Sequence, residues 1–174
     1  MEGDGREAWA SRNRDLVGRE RDPWARRIGL LLFLALVVAA LLNVFGQRAK
    51  TSSASSPAAT LELNAPTKAR GGLMFQARFD VRALREVRQP LLILNRGWLD
   101  GLTQNSSEPG ASSERTDNGR VVLEYDTIPA GRKLTVWLQY QVNPTHVGRT
   151  DQDVELWDGT TRIIHLDHSL TVFP

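Results

Sequence analysis

LMFQARFDVRA, residues 73–83, decides the fold, because its apolar side chains recur at every second position. Leu73, Phe75, Ala77, Phe79, Val81 and Ala83 fall on one face, and Gln76, Arg78, Asp80 and Arg82 fall on the other. A period of two marks a half-buried strand, since successive side chains leave a pleated backbone on opposite sides. LTVWLQYQV, residues 134–142, repeats the pattern with Leu134, Val136, Leu138, Tyr140 and Val142 inward and Thr135, Trp137, Gln139 and Gln141 outward. Shorter strands are predicted at TLEL (60–63), LLIL (91–94), VVLEY (121–125) and DVELW (153–157), and one long strand at RIIHLDHSLTVF (162–173). Turn signals separate them at Gly71-Gly72, Asn118-Gly119, Pro129-Ala130-Gly131 and Asp158-Gly159, the last suited to a two-residue hairpin. No helical period of comparable length follows residue 50. The expectation is an antiparallel β-sandwich of the immunoglobulin type.

A different segment precedes it. Ile28 to Gly46 is a run of 19 residues without a formal charge, and as a helix it reaches roughly 28 Å, close to the hydrocarbon thickness of a bilayer. A cleaved signal has a shorter apolar region, a short basic leader and a prompt small-x-small site. Here the leader is 27 residues, and the first such triplet, Ser52-Ser53-Ala54, lies well past the apolar run. The reading is therefore a retained transmembrane helix over 28–46. Arg14, Arg19, Arg21, Arg26 and Arg27 precede it closely, against Arg48 and Lys50 behind it. Because Lys and Arg resist translocation, the N-terminus is expected in the cytoplasm and the C-terminal part outside the plasma membrane. Trp24, Arg26 and Arg27 are the expected membrane-interface residues, with the lipid bilayer as the first partner. Asn43, near the outer end, is placed to meet interfacial water or a neighbouring helix.

Composition divides the same way. Residues 1–27 hold seven Arg and six acidic groups and are expected to be a mostly disordered cytoplasmic tail. Residues 47–59, QRAKTSSASSPAA, are rich in Ser and Ala and are expected to be a flexible linker. Residues 60–174 hold 13 basic against 14 acidic groups, nearly neutral and without a basic aromatic patch, which speaks against nucleic acid as a partner. The chain has no cysteine, so this single extracytoplasmic domain must be held by its core rather than by disulfides. Arg outnumbers Lys 19 to 3, a usage associated with GC-rich bacterial genomes.

IPAGRKLTVWLQYQVNPTHVG, residues 128–148, sets a Pro-x-Gly turn before a long alternating strand and a Gly after a short loop. This order resembles the second half of bacterial extracytoplasmic immunoglobulin-like domains. With the N-terminal helix included, the chain looks like the small single-pass envelope proteins of actinobacteria. The resemblance covers 128–173 best and 60–174 loosely. It implies a fold and carries over no catalytic residue.

The residues themselves point away from catalysis. No G-x-S-x-G or similar nucleophile motif is present. His165 and His168 are three apart, which in one strand sends them to opposite faces, and His168 shares its face with Ile164, Leu166, Leu170 and Val172 as a core residue would. His146 belongs to a loop. Asp151 and Asp153 near Asp158 fall short of a calcium loop and are expected to be solvated carboxylates. No catalytic, cofactor or metal residue is assigned. The Asn105-Ser106-Ser107 triplet matches a glycosylation acceptor without functional meaning in a bacterium. QNSSEPGASSERTDNG, residues 104–119, is expected to be a long polar loop.

Binding is what remains. Trp137 and Trp157 both fall at outward positions, and with Gln139 they are the candidate partner-binding residues. If their strands pair, they form one interaction patch; the alternative is that each packs across its own strand ladder on neighbouring stems. Trp98, with Leu99 and Leu102, is expected to plug one end of the sandwich, and Tyr125 to face inward with Val121 and Leu123. Two functions follow. One is an accessory or scaffolding protein that binds another membrane or envelope protein; the other is a module or sensor that binds an envelope glycan or lipid. A flat aromatic face favours the first and a concave aromatic cleft the second.

Overall fold

The computed structural model describes residues 22–42 and 47–174. Of the disordered tail expected over 1–27, residues 1–21 lie outside the described residues, as does Asn43, and residues 22–27 are helical instead. Helix α1 spans Asp22–Leu41 and so begins before Ile28. Pro23 suits a first turn, where its missing amide hydrogen would have no intrahelical acceptor. Trp24 to Leu41 is long and apolar enough to cross a membrane, a property shared with signal sequences.

From residue 47 the chain is a mainly β sandwich. Thirteen strands form it: β1 Ala49–Ser55, β2 Ala59–Pro66, β3 Lys68–Arg70, β4 Met74–Ala83, β5 Pro90–Leu94, β6 Leu102–Glu108, β7 Ser113–Asp117, β8 Arg120–Glu124, β9 Lys133–Val142, β10 Gly148–Asp151, β11 Val154–Asp158, β12 Thr161–Leu166 and β13 Ser169–Phe173. The first sheet has the order β1-β2-β4-β9-β6, the second β12-β11-β5-β8-β7, and a small third sheet β10-β13-β3. All pairings between these strands are antiparallel except β13 with β3, which is parallel. That pair and the strand count depart from the all-antiparallel immunoglobulin pattern expected from the sequence.

From Phe75 onward the alternation in β4 and β9 does what the sequence implies, whereas Leu73, expected inward, precedes β4 and is exposed. Phe79, Val81, Val136 and Leu138 of the first sheet meet Leu92, Leu94, Leu123 and Leu156 of the second in one core. Leu61 and Leu63 of β2 join them. Asn118 and Gly119 both take positive φ, 50° and 76°, as the tight β7–β8 hairpin demands. At the β11–β12 hairpin Asp158 still pairs with Thr161, so the turn residues are Gly159 and Thr160 rather than Asp158 and Gly159.

Three expectations fail for related reasons. The linker read at 47–59 contains β1, whose register runs from Ala49 opposite Pro66 to Ser55 opposite Thr60. Residues 104–119 are not a loop but most of β6 and all of β7, edge strands of different sheets joined by a short crossing. An edge strand pairs through its backbone on one side only and can face water with most side chains, so neither segment needs an apolar alternation. The strand predicted at 162–173 breaks at Asp167-His168, so β12 stays in the second sheet while β13 passes to the third. His168 turns inward there, its Nε2 3.3 Å from the Pro66 carbonyl oxygen.

Candidate functional site

Trp137 stands on the outer face of the first sheet. β9 places it between Arg78 of β4 and Glu108 of β6, and the Arg78 guanidinium lies 5.3 Å from the indole centroid. Arg78 also lies beside Asp80, its Nε 3.2 Å from Asp80 Oδ2, an ion pair without hydrogen-bond geometry. Asp80 also accepts the Thr135 hydroxyl at 2.7 Å and lies 3.0 Å from Lys133 Nζ. Burial acts to raise the Asp80 carboxyl, but the hydrogen bonds from Thr135 and Lys133 and the charges of Lys133 and Arg78 outweigh it and hold its pKa below the ordinary value. Gln139, one outward position along, faces Gln76 and Ser106, and the Ser106 hydroxyl donates to its Oε1 at 3.5 Å. The result is a polar sheet face on which the Trp137 ring lies beside the Arg78 guanidinium.

Trp157 stands on the other side of the molecule. β11 pairs with β12 and β5, whereas β9 pairs with β4 and β6, so the two tryptophans occupy outer faces of opposite sheets and share no patch. Trp157 packs on Leu91, Ile93 and Val122, which are buried on the outer face of the second sheet. Its indole N–H donates to Glu155 Oε2 at 2.9 Å. Arg162 donates to the other Glu155 oxygen at 2.9 Å, and His165 Nδ1 lies 3.5 Å from it. Burial again acts to raise the Glu155 carboxyl, and the hydrogen bonds from Trp157 and Arg162 overcome it, leaving the pKa lowered. Trp157 thus packs across its own ladder and closes a small apolar stripe.

The remaining sequence candidates are structural. Trp98 is fully buried, with its N–H on the Gln152 carbonyl oxygen at 3.0 Å and its ring 5.5 Å from Phe79, 5.3 Å from Tyr140 and 6.2 Å from His168. Leu102 packs against the core, but Leu99, expected to plug with it, is exposed, because it follows the 3-10 turn Arg96–Trp98 out to the surface. Tyr125 is buried as expected, and burial pushes its hydroxyl up to about 12. Burial also lowers the His168 pKa, against the hydrogen bond to Pro66. The turn between β12 and β13 has an effect that spacing alone did not reveal: His165, Asp167 and Asp153 bring ligand-type atoms within 4.8 Å of one another. Asp153 accepts from Asn95 Nδ2 at 3.3 Å and from the His168 amide at 3.4 Å, so it is less free than a solvated loop carboxylate. Asp151 is exposed, 3.9 Å from Arg149. Trp24, Arg26 and Arg27 are exposed on α1. A cleft of about 380 Å³ runs between Lys50, Thr67, Arg149, Asp151, Asp167 and Ser169, and its lining includes no tryptophan.

Sequence reasoning missed Arg78, Asp80 and Lys133 as the setting of Trp137. Their outward parity was visible, but that β4 and β9 are neighbours was not.

No family model matches the chain, and no curated protein matches it. Among solved structures it is similar to the cohesin CaCohA2 from Clostridium acetobutylicum, at 11% identity and TM-score 0.45, over 64% of this chain and 88% of that one. A cohesin in a type I cohesin–dockerin complex from Clostridium thermocellum gives 10% and 0.39, over 62% and 90%. A non-cellulosomal cohesin from the hyperthermophilic archaeon Archaeoglobus fulgidus gives 10% and 0.40, over 73% and 92%. Likeness at this level decides neither strand order nor partner.

Proposed function

We propose that this protein is a single-pass, membrane-anchored accessory or scaffolding protein whose extracytoplasmic β-sandwich binds another membrane or envelope protein through the outer face of the first sheet. The observation that carries this reading is the Arg78–Trp137 contact on the outer face of the first sheet. Trp and Arg are the residue types most enriched at the energetic centres of protein interfaces. Asp80, itself held by Thr135 and Lys133, lies beside the guanidinium and favours its place over the ring, which lowers the side-chain entropy lost on docking. The lack of tryptophan among the residues that line the 380 Å³ cleft favours a protein partner over a glycan or lipid fragment. In this reading α1 is the anchor, Trp24, Arg26 and Arg27 meet the cytoplasmic interface and the sandwich is extracytoplasmic, as the excess of Arg before the apolar run favours.

Because the tryptophans lie on opposite faces, they are tested singly. Full-length wild type, Trp137→Ala and Trp157→Ala are purified in mild detergent from native membranes and their co-purifying proteins identified by mass spectrometry. The reading expects a stoichiometric partner with wild type and Trp157→Ala that is lost with Trp137→Ala. Retention of the partner by Trp137→Ala, or co-purification of glycan or lipid alone, contradicts it.

A further inference from the structure

Leu73, Met74, Leu99 and Val147 are large apolar side chains of the sandwich that stand 40 to 56% exposed. All four gather at one end. The Val142 amide donates to the Leu73 carbonyl oxygen at 2.9 Å, and Met74 opens β4 opposite Gln141. The Asn143 amide donates to the Gly101 carbonyl oxygen at 2.9 Å, which ties the turn holding Leu99 to the loop holding Val147. The same end is where the chain joins the sandwich. Ala49 pairs with Pro66, and from there β3 continues to the turn at Gly71-Gly72.

Arg48, Lys50, Lys68 and Arg70 are exposed around these loops. Acidic groups stand among them: Asp100 is exposed, Asp151 lies beside Arg149, and Asp153 and Asp167 line one cleft with Lys50 and Arg149. Single exposed apolar residues are ordinary, but several on adjoining loops, ringed by Lys and Arg, have the composition of a contact with a lipid interface. Anionic headgroups attract such a ring. Ala49 follows Leu41 by only eight residues, a tether of at most about 28 Å.

We propose that this end of the sandwich rests on an anionic lipid surface, with Leu73, Met74, Leu99 and Val147 entering the headgroup layer and Lys68 and Arg70 meeting lipid phosphates. The proposal rests on α1 being a retained anchor. It adds that the folded domain is held against the membrane it is tethered to.

The absence of cysteine makes single labelling sites clean. The full chain is prepared as Leu73→Cys, Val147→Cys, Leu84→Cys and Leu34→Cys, each carrying an environment-sensitive fluorophore. Leu84 is the control at the opposite end, where β4 finishes, and is 50% exposed. Proteins are placed in nanodiscs of phosphatidylcholine and phosphatidylglycerol, with nitroxide on the headgroups or the acyl chains. The proposal expects acyl-chain quenching at position 34, and headgroup quenching several-fold stronger at 73 and 147 than at 84. Equal headgroup quenching at 73, 147 and 84, with position 34 still quenched, overturns it while sparing the anchor. An unquenched position 34 removes the anchor and the proposal together.

Discussion

The outer faces of the two large sheets each carry one tryptophan at an outward position, and the two residues do different work. On the second sheet Trp157 covers Leu91, Ile93 and Val122, so its ring completes a layer of the protein's own packing. On the first sheet Trp137 has polar neighbours, Arg78 and Glu108 beside it and Gln139 and Thr135 along its strand, and its ring is covered by one cation. Parity along a strand says which side a side chain leaves. What it meets there is set by neighbouring strands that are remote in sequence, and that decides whether the ring serves stability or recognition.

The comparison needs a ruler between the faces, and Trp98 supplies it. Trp98→Ala empties a site in contact with Phe79, Tyr140 and His168 and should cost about 3–5 kcal/mol, read by urea unfolding of the sandwich. Trp157→Ala should cost less, about 2–3 kcal/mol, because the ring is half-buried and only part of its area returns to water. Trp137→Ala should cost less again, about 1–2 kcal/mol, because its equally half-buried ring meets polar neighbours and one cation rather than an apolar stripe. If Trp137→Ala proves as destabilising as Trp157→Ala, the two faces are energetically alike and the division between them fails.

Acid sharpens the same contrast more gently. Asp80 and Glu155 have lowered carboxyl pKa values in the fold, so their contributions are complete above their ordinary values of 3.8 and 4.5 and are lost as pH falls through the lowered folded values. His168 is a buried base with a lowered pKa. Its neutral form is favoured in the fold, so stability declines as pH falls below its ordinary value of 6.5. Unfolding measured against pH should therefore weaken first below about 6.5 and again below about 4.5. Asp80→Asn should flatten part of the lower step through the first face, and Glu155→Gln part of it through the second. A lower step unchanged in both variants contradicts the assignment of ionised, partnered carboxylates to these faces.

Legibility in the sequence follows the same physics. Residues 75–83 and 134–142 lie in central strands with one face on the core, so their alternation names the buried face, while Leu73, ahead of β4, continues the parity but is exposed. The edge strands β1, β6 and β7 read as linker or loop, because backbone pairing at a sheet margin requires no apolar period. The break at Asp167-His168 went unseen because His168 continues the apolar parity of Ile164 and Leu166 while its backbone passes to another sheet. Trp137 and Trp157 were both rightly placed outward. That they lie on opposite faces depends on β9 and β11 belonging to different sheets, a fact about pairing that no local pattern contains.

The most direct test of the account is photo-crosslinking in native membranes from one residue on each face. A benzophenone side chain replaces Gln139 on the first sheet or Arg115 on the second, in otherwise wild-type full-length protein. The account predicts a discrete protein adduct from position 139 that disappears when Trp137→Ala is added, and none from position 115. An adduct from 115 alone, or one from 139 that survives Trp137→Ala, would contradict it.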